Sequence, residues 1–188
     1  MDDPTLPSRH GPWLRRRRTV AYENEWLVVW HDEVTRPDGQ PGIYGLVHPR
    51  NLAVGIVAVD AEGRVLLVGQ YRYTLDRYSW EIPEGGAPLD EAPLLGAQRE
   101  LAEETGYRAT LWRELVRLHT SNSLMDEAGV LYHASGLVAG DAAPDPTEEL
   151  DQRWVPLAEA LQLVEQGEIT DALTVIGLQR LALERAGS

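Results

Sequence analysis

Glutamate and arginine recur at fixed offsets in GGAPLDEAPLLGAQRELAEETGY, the segment from Gly85 to Tyr107. Glu91 follows Gly85 after five residues, and Arg99-Glu100-Leu101 follows after seven more. Glu103, Glu104, Gly106 and Tyr107 complete the run. On a helix, Glu100, Glu103 and Glu104 are related by i,i+3 and i,i+4, so their carboxylates share one face. Carboxylates crowded in this way repel one another and weaken a bare helix. A hard divalent cation, Mg2+ or Mn2+, seated among their oxygens offsets that repulsion.

The surrounding residues spell a loop, a helix and a second loop. Gly85-Gly86 permits backbone angles that other residues resist. Asp90 suits an N-cap, and Pro93 falls in the first turn, where its missing N–H does little harm. Leu94, Ala97 and Leu101 repeat at helical spacing and give a buried face distinct from the glutamate face. Gly106 suits the left-handed position that closes a helix.

With each fixed position filled, this segment resembles the complete signature of the Nudix hydrolases, and the resemblance covers nearly the whole chain after its first residues. It implies Mg2+-dependent hydrolysis of a nucleoside diphosphate linked to another group, giving a nucleoside monophosphate and a phosphorylated sugar. Glu100 and Glu104 are the first candidates as metal ligands, with Glu103 third and the backbone carbonyl of Glu84 a further ligand. For Glu91 and Arg99 it implies a salt bridge bracing the loop. Upstream, GQYRYTLDRYSWEIPEGG is similar to a segment of nucleoside-diphosphate-sugar and ADP-ribose hydrolases. There Arg72 would reach the diphosphate, since a planar guanidinium suits bidentate phosphate recognition. Glu81 would contact substrate or orient Arg72. Trp26, Trp30 and Tyr44 are candidates to stack a nucleobase. The general base has several candidates: the signature glutamates Glu103 and Glu104, Glu148 or Glu149 in the acidic segment, and Glu127 in the polar loop SNSLMDEAG. Glu148 or Glu149 is preferred to Glu127.

One departure bears on the substrate. ADP-ribose pyrophosphatases commonly carry a proline shortly after the signature, and this chain has none between Pro93 and Pro144. A nucleoside diphosphate hexose therefore stands beside ADP-ribose. Nucleoside triphosphates or dinucleoside polyphosphates form a second substrate class. A nucleotide-sensing module without turnover is a third reading, and the intact glutamates argue against it.

The elements that must position these residues follow from pattern. Residues 1–15, rich in proline and charge, read as a tail. Thr19 to Tyr22, Trp26 to Val34 and Ile43 to Val47 read as strands, with Pro37-Asp38-Gly39 and Pro41-Gly42 as turn chemistry. They make residues 16–50 a three-stranded antiparallel annex, too small to be stable alone. RTVAYENEWLVVWHDEVTRPDG also resembles the N-terminal sheet of ADP-ribose pyrophosphatase-type Nudix enzymes. That likeness implies a homodimer with the sheet contributing to the substrate site. Residues 51–188 read as the catalytic domain. Ala53–Val59, Val65–Val68, Trp80–Ile82, Leu111–His119, Val130–Val138 and Arg153–Val155 are its strands; Leu157–Glu165 and Asp171–Glu184 are helices. The order predicts an α/β fold, an α/β/α sandwich around a mixed sheet.

Composition narrows the class further. The chain has 188 residues, no cysteine and a formal net charge of −13. That charge argues against nucleic-acid binding, which needs a basic surface. No disulfide framework is possible, and a reducing cytoplasm is the expected compartment. No apolar run suits a signal peptide or a membrane span.

Overall fold

The computed structural model describes residues 7–142 and 149–187, which form two compact units. Unit 1 comprises the chain to Asn51 together with Ser121–Glu127; unit 2 comprises Leu52–Thr120 and the chain from Ala128.

Unit 1 is a four-stranded antiparallel sheet in the order β1-β2-β3-β4: Ser8–His10, Trp13–Glu23, Leu27–Thr35 and Pro41–Pro49. The annex thus has one strand more than its β-branched runs predict, and β1 and the start of β2 lie where a tail is expected. Alternation along β3 buries Val28, Asp32 and Val34. The buried Asp32 is held by Arg18, whose Nε and Nη2 each donate at 2.7 Å. Ser121–Glu127 folds with this sheet: Val47 N–H donates to Leu124 O at 3.0 Å and Asp126 N–H to Val47 O at 3.3 Å.

Unit 2 contains one sheet in the order β8-β5-β10-β9 and a second in the order β11-β6-β7. The first joins Glu84–Pro88 (β8), Asn51–Ala58 (β5), Ala128–Ala139 (β10) and Tyr107–His119 (β9). β10 runs parallel to β5 and antiparallel to β9, so the sheet is mixed. Asp151–Pro156 (β11), Arg64–Arg72 (β6) and Arg77–Glu81 (β7) make the second, which is wholly antiparallel. Both faces are covered, which is why β5 and β6 read as continuous apolar runs. On one face Val54, Ile56, Ala58 and Leu66 pack with Ala97 and Leu101 of α1 (Pro93–Thr105). Toward the other face Val57, Val65 and Leu67 pack with Ala160 of α2 (Leu157–Glu165) and Leu173, Leu178 and Leu181 of α3 (Ala172–Ala186). The layers are α/β/α, as the order of elements predicts.

Candidate active site

The glutamate face stands on α1. Its N-cap is Ala92, with no side-chain cap, and Pro93 opens the first turn; Asp90 falls in the preceding turn and does not cap the helix. A proline pre-set at φ near −65° starts the helix without help from a side chain. Gly106 closes it at φ 75°, its N–H donating to Ala102 O. The buried face of α1 includes Gly96, Ala97, Leu101 and Thr105, and Glu104 joins it at 3% exposure. The three glutamates therefore differ in depth: Glu104 is buried, the Glu100 side chain nearly so, and Glu103 is 43% exposed.

β8 lies directly against this helix. Gly85 and Gly86, expected to form a permissive loop, are strand residues, and neither is among the positive-φ glycines. The reason for glycine at 85 is space. A Cβ there would sit 2.3 Å from Glu100 Cδ. At Gly96 a Cβ would sit 2.5 Å from Ala87 Cβ, so α1 and β8 meet through small residues. Arg99 Nη1 donates to Glu100 Oε1 at 2.8 Å and to Glu103 Oε2 at 2.9 Å, and Nη2 to Gly86 O at 2.9 Å. The expected Arg99–Glu91 bridge is not made. Helical spacing puts Glu103 at i+4 from Arg99, while Glu91 precedes the helix with a buried Oε2 that has no partner among the described residues. Gln152 of β11 secures the far end of α1, its Nε2 donating to the carbonyls of Glu104 and Thr105 at 3.3 and 3.2 Å.

Arg72 ends β6 beside this helix–strand pair. Its Nε donates to both oxygens of Glu81 at 3.0 Å, and its Nη2 to Glu81 Oε2 and, at 3.0 Å, to Glu84 Oε1. Glu81 is buried at 2% exposure, with Arg72 as its ion-pair partner. Glu84 N–H donates to Glu104 Oε2 at 3.2 Å, which joins the arginine cluster to the α1 glutamates. Burial pushes the Glu84 carboxyl well above its ordinary value, and the charges of Asp171, Glu81 and Glu104 add to that while Arg72 opposes it. Burial works against the Arg72 charge, but Glu81, Glu84 and Asp171 together hold its proton more firmly than usual. On the adjoining strand, Tyr78 donates to Asp151 Oδ2 at 2.6 Å.

The structure thus brings together Arg72, Glu81, Glu84 and Glu104, and places Glu100 and Glu103 on the same helix around Arg99. Trp30, Tyr44 and Glu127 belong to unit 1. Trp30 lies under the Arg18 guanidinium at 5.1 Å, and Tyr44 packs edge-on against Trp13 and donates to Ser123 O at 2.8 Å. Trp26, also in unit 1, is exposed. Glu149 is exposed just before β11, and Glu148 lies outside the described residues. Asp171 and Gln152 were not legible as site residues. Asp171 carries only a helix-start signal, and Gln152 carries none.

Among the described residues no group of three or more His, Cys, Asp or Glu side chains is arranged to hold a metal ion. The donor chemistry nonetheless fits a hard divalent cation. The side-chain ligand candidates are all carboxylates, and Glu84 Oε2 is buried with no hydrogen-bond partner among the described residues.

The NUDIX domain family model matches residues 49–173. The chain belongs to the Nudix hydrolase family. Nudix hydrolases generally use divalent metal ions and act on small nucleotide substrates. This Nudix hydrolase is 35% identical over 176 residues to an ADP-ribose pyrophosphatase of Bacillus subtilis, covering 90% of this chain and 94% of the relative. It is 32% identical over 166 residues to a CMP-5'-(N-acetyl-N-hydroxy-3-aminopropyl)phosphonate hydrolase of Streptomyces rubellomurinus, covering 88% of this chain and 80% of that protein. A solved ADP compounds hydrolase shares the fold, with a TM-score of 0.83 at 21% identity over 100% of this chain and 98% of the other.

Proposed function

We propose that this Nudix hydrolase cleaves the pyrophosphate bond of ADP-ribose and related nucleoside diphosphate sugars, releasing a nucleoside monophosphate and a sugar phosphate. The observation that carries the reading is Arg72, clamped by Glu81 and Glu84 and joined through Glu84 to Glu104. A guanidinium fixed beside the signature carboxylates is placed to hold one phosphate of a diphosphate while the next meets the metal ligands. Likeness to the Bacillus subtilis ADP-ribose pyrophosphatase over most of both chains supports the sugar-diphosphate class.

Glu100, Glu103, Glu104 and the Glu84 carbonyl would hold Mg2+, which supplies charge neutralisation at the diphosphate and an activated water. Glu81 keeps Arg72 oriented. Water activation falls to Glu148 or Glu149, with Glu127 and the signature glutamates Glu103 and Glu104 as the other candidates; single glutamine substitutions rank them. The N-terminal sheet exposes Val20, Tyr22, Trp26 and Ile43. Exposed apolar side chains of that kind support a homodimer, which a sizing measurement tests. A chain free of cysteine supports a cytoplasmic site of action.

The experiment is a substrate panel with Mg2+ and products resolved by mass. It takes ADP-ribose, GDP-mannose, ADP-glucose, UDP-glucose, diadenosine polyphosphates and dNTPs. The expected outcome is cleavage of the sugar diphosphates to monophosphate plus sugar phosphate. Activity confined to dNTPs or dinucleotides sinks the substrate reading. Binding without turnover across the panel identifies a sensor.

A further inference from the structure

The corner between β7 and β8 carries Glu81 and Glu84, and three different elements tie down its backbone. Ile82 lies one residue past the end of β7, so its amide has no ladder partner. Instead Ile82 N–H donates to Thr174 Oγ1 of α3 at 3.0 Å. Pro83 has no N–H, and its carbonyl accepts from Ile56 N of β5 at 2.8 Å. Glu84 N–H goes to Glu104 of α1. Two of these ties belong to the fold or to the signature itself. The third comes from a side chain outside the signature.

Thr174 is itself held firmly. Its residue is 0% exposed, and its amide donates to the N-cap Asp171 Oδ2 at 2.7 Å. Downstream, Gly177 lets α3 approach the sheet, since a Cβ there would lie 2.8 Å from Val57 Cγ2. The helix therefore cannot slide to follow the corner if the hydroxyl is lost. A buried amide without an acceptor is costly, so it is the corner that shifts. The Arg72 clamp and the Glu84 carbonyl move with it.

We propose that Thr174 is a positioning residue for hydrolysis. Its hydroxyl oxygen fixes the 81–84 corner and so aligns the Glu81–Arg72 pair and the backbone of Glu84 with the α1 glutamates. The inference rests on the hydrolase reading. It concerns the catalytic step more than ground-state binding, because the corner orients groups and adds no surface to the substrate.

The test compares Thr174→Val, which keeps shape and removes the acceptor, with Thr174→Ser, which keeps the acceptor. Full-length protein is assayed on ADP-ribose with Mg2+, alongside amide exchange at Ile82. A misplacement near 1 Å costs about 10²-fold, and a partial shift is expected to lower kcat by about tenfold. In Thr174→Val, KM stays within about threefold and the Ile82 amide exchanges faster. Thr174→Ser restores both kcat and amide protection. Wild-type kcat in Thr174→Val overturns the proposal, as does an equal loss in the serine variant. If Thr174→Val does not fold, Thr174→Ala replaces it in the comparison with serine, under the same criteria. Failure of the wild-type enzyme to cleave ADP-ribose sinks the substrate reading alone; the variants are then compared on whichever panel compound is turned over.

Discussion

Gly85→Ala is expected to separate activity from stability. The added Cβ would lie 2.3 Å from Glu100 Cδ and 2.5 and 2.6 Å from its two oxygens, where ordinary contact begins at 3.4 Å. The carboxylate must therefore retreat by about 1.1 Å, the difference between 3.4 and 2.3 Å. The backbone at Gly85 is not left-handed, so alanine brings no strain of its own. What moves is the end of a flexible side chain, and an off-rotamer Glu100 costs about 0.5–1.5 kcal/mol. For a chain of this length that is a fall in Tm of about 1–6 °C. The displaced group is a ligand candidate, where a 1 Å error costs about 10²-fold in rate, or about 2.7 kcal/mol of barrier. Steady-state kinetics on ADP-ribose with Mg2+, paired with a thermal melt, reads both quantities. Activity within about threefold of wild type would refute the close approach of Gly85 to a functional Glu100. A fall in Tm well beyond 10 °C would show that the glycine serves the backbone instead.

Glu104→Gln keeps an acceptor for the Glu84 amide and removes a charge, so turnover should drop by about 10²-fold or more with an unchanged melt. Full activity would remove Glu104 from the ligand set. Arg72→Ala leaves the buried Glu81 carboxylate unpaired, and urea denaturation should show a loss of about 3 kcal/mol; the double variant with Glu81→Gln should recover part of it. Burial and the Asp151 carboxylate push Tyr78 up to about 12. A raised folded-state pKa stabilises below the ordinary tyrosine value near 10, and that contribution is lost as pH climbs through about 12. Stability should fall across this alkaline window, and Tyr78→Phe should abolish that component; an unchanged profile in the variant would exclude the Tyr78–Asp151 bond as its source. Chelation of divalent ions should lower Tm, and Mg2+ at about 100 times its Kd should return about 2.7 kcal/mol. A melt indifferent to Mg2+ would count against the carboxylate site.

Much of the fold was legible because its signals are local. The apolar runs of β5 and β6 and the amphipathic stretch of α2 show in the sequence, and Gly106 closes α1 as a left-handed cap should. The helical spacing of Glu100, Glu103 and Glu104 is also local, so their shared helix was predictable. Their depths were not, because burial of Glu104 depends on β8 and β11 arriving from elsewhere. Gly85-Gly86-Ala87-Pro88 reads as a loop by composition. It is a strand because α1 packs closely on it, a tertiary demand that overrides local preference. Arg99 illustrates the same limit: spacing names its possible partners without choosing among them. Thr174 and Gln152 act through side-chain hydrogen bonds with distant backbone, and no local pattern marks such contacts.

The association of Ser121–Glu127 with the N-terminal sheet constrains how this architecture can diversify. The chain passes between the units after Asn51, after Thr120 and again after Glu127. A proteolytic cut after Asn51 would leave the sheet tethered by Tyr44 to Ser123, by Val47 to Leu124 and by His48 to Asp126 at 2.8 Å. Grafting the sheet of a relative onto this enzyme would require its β9–β10 connection as well. Substitutions in β4 and in residues 121–127 should accordingly be inherited in pairs.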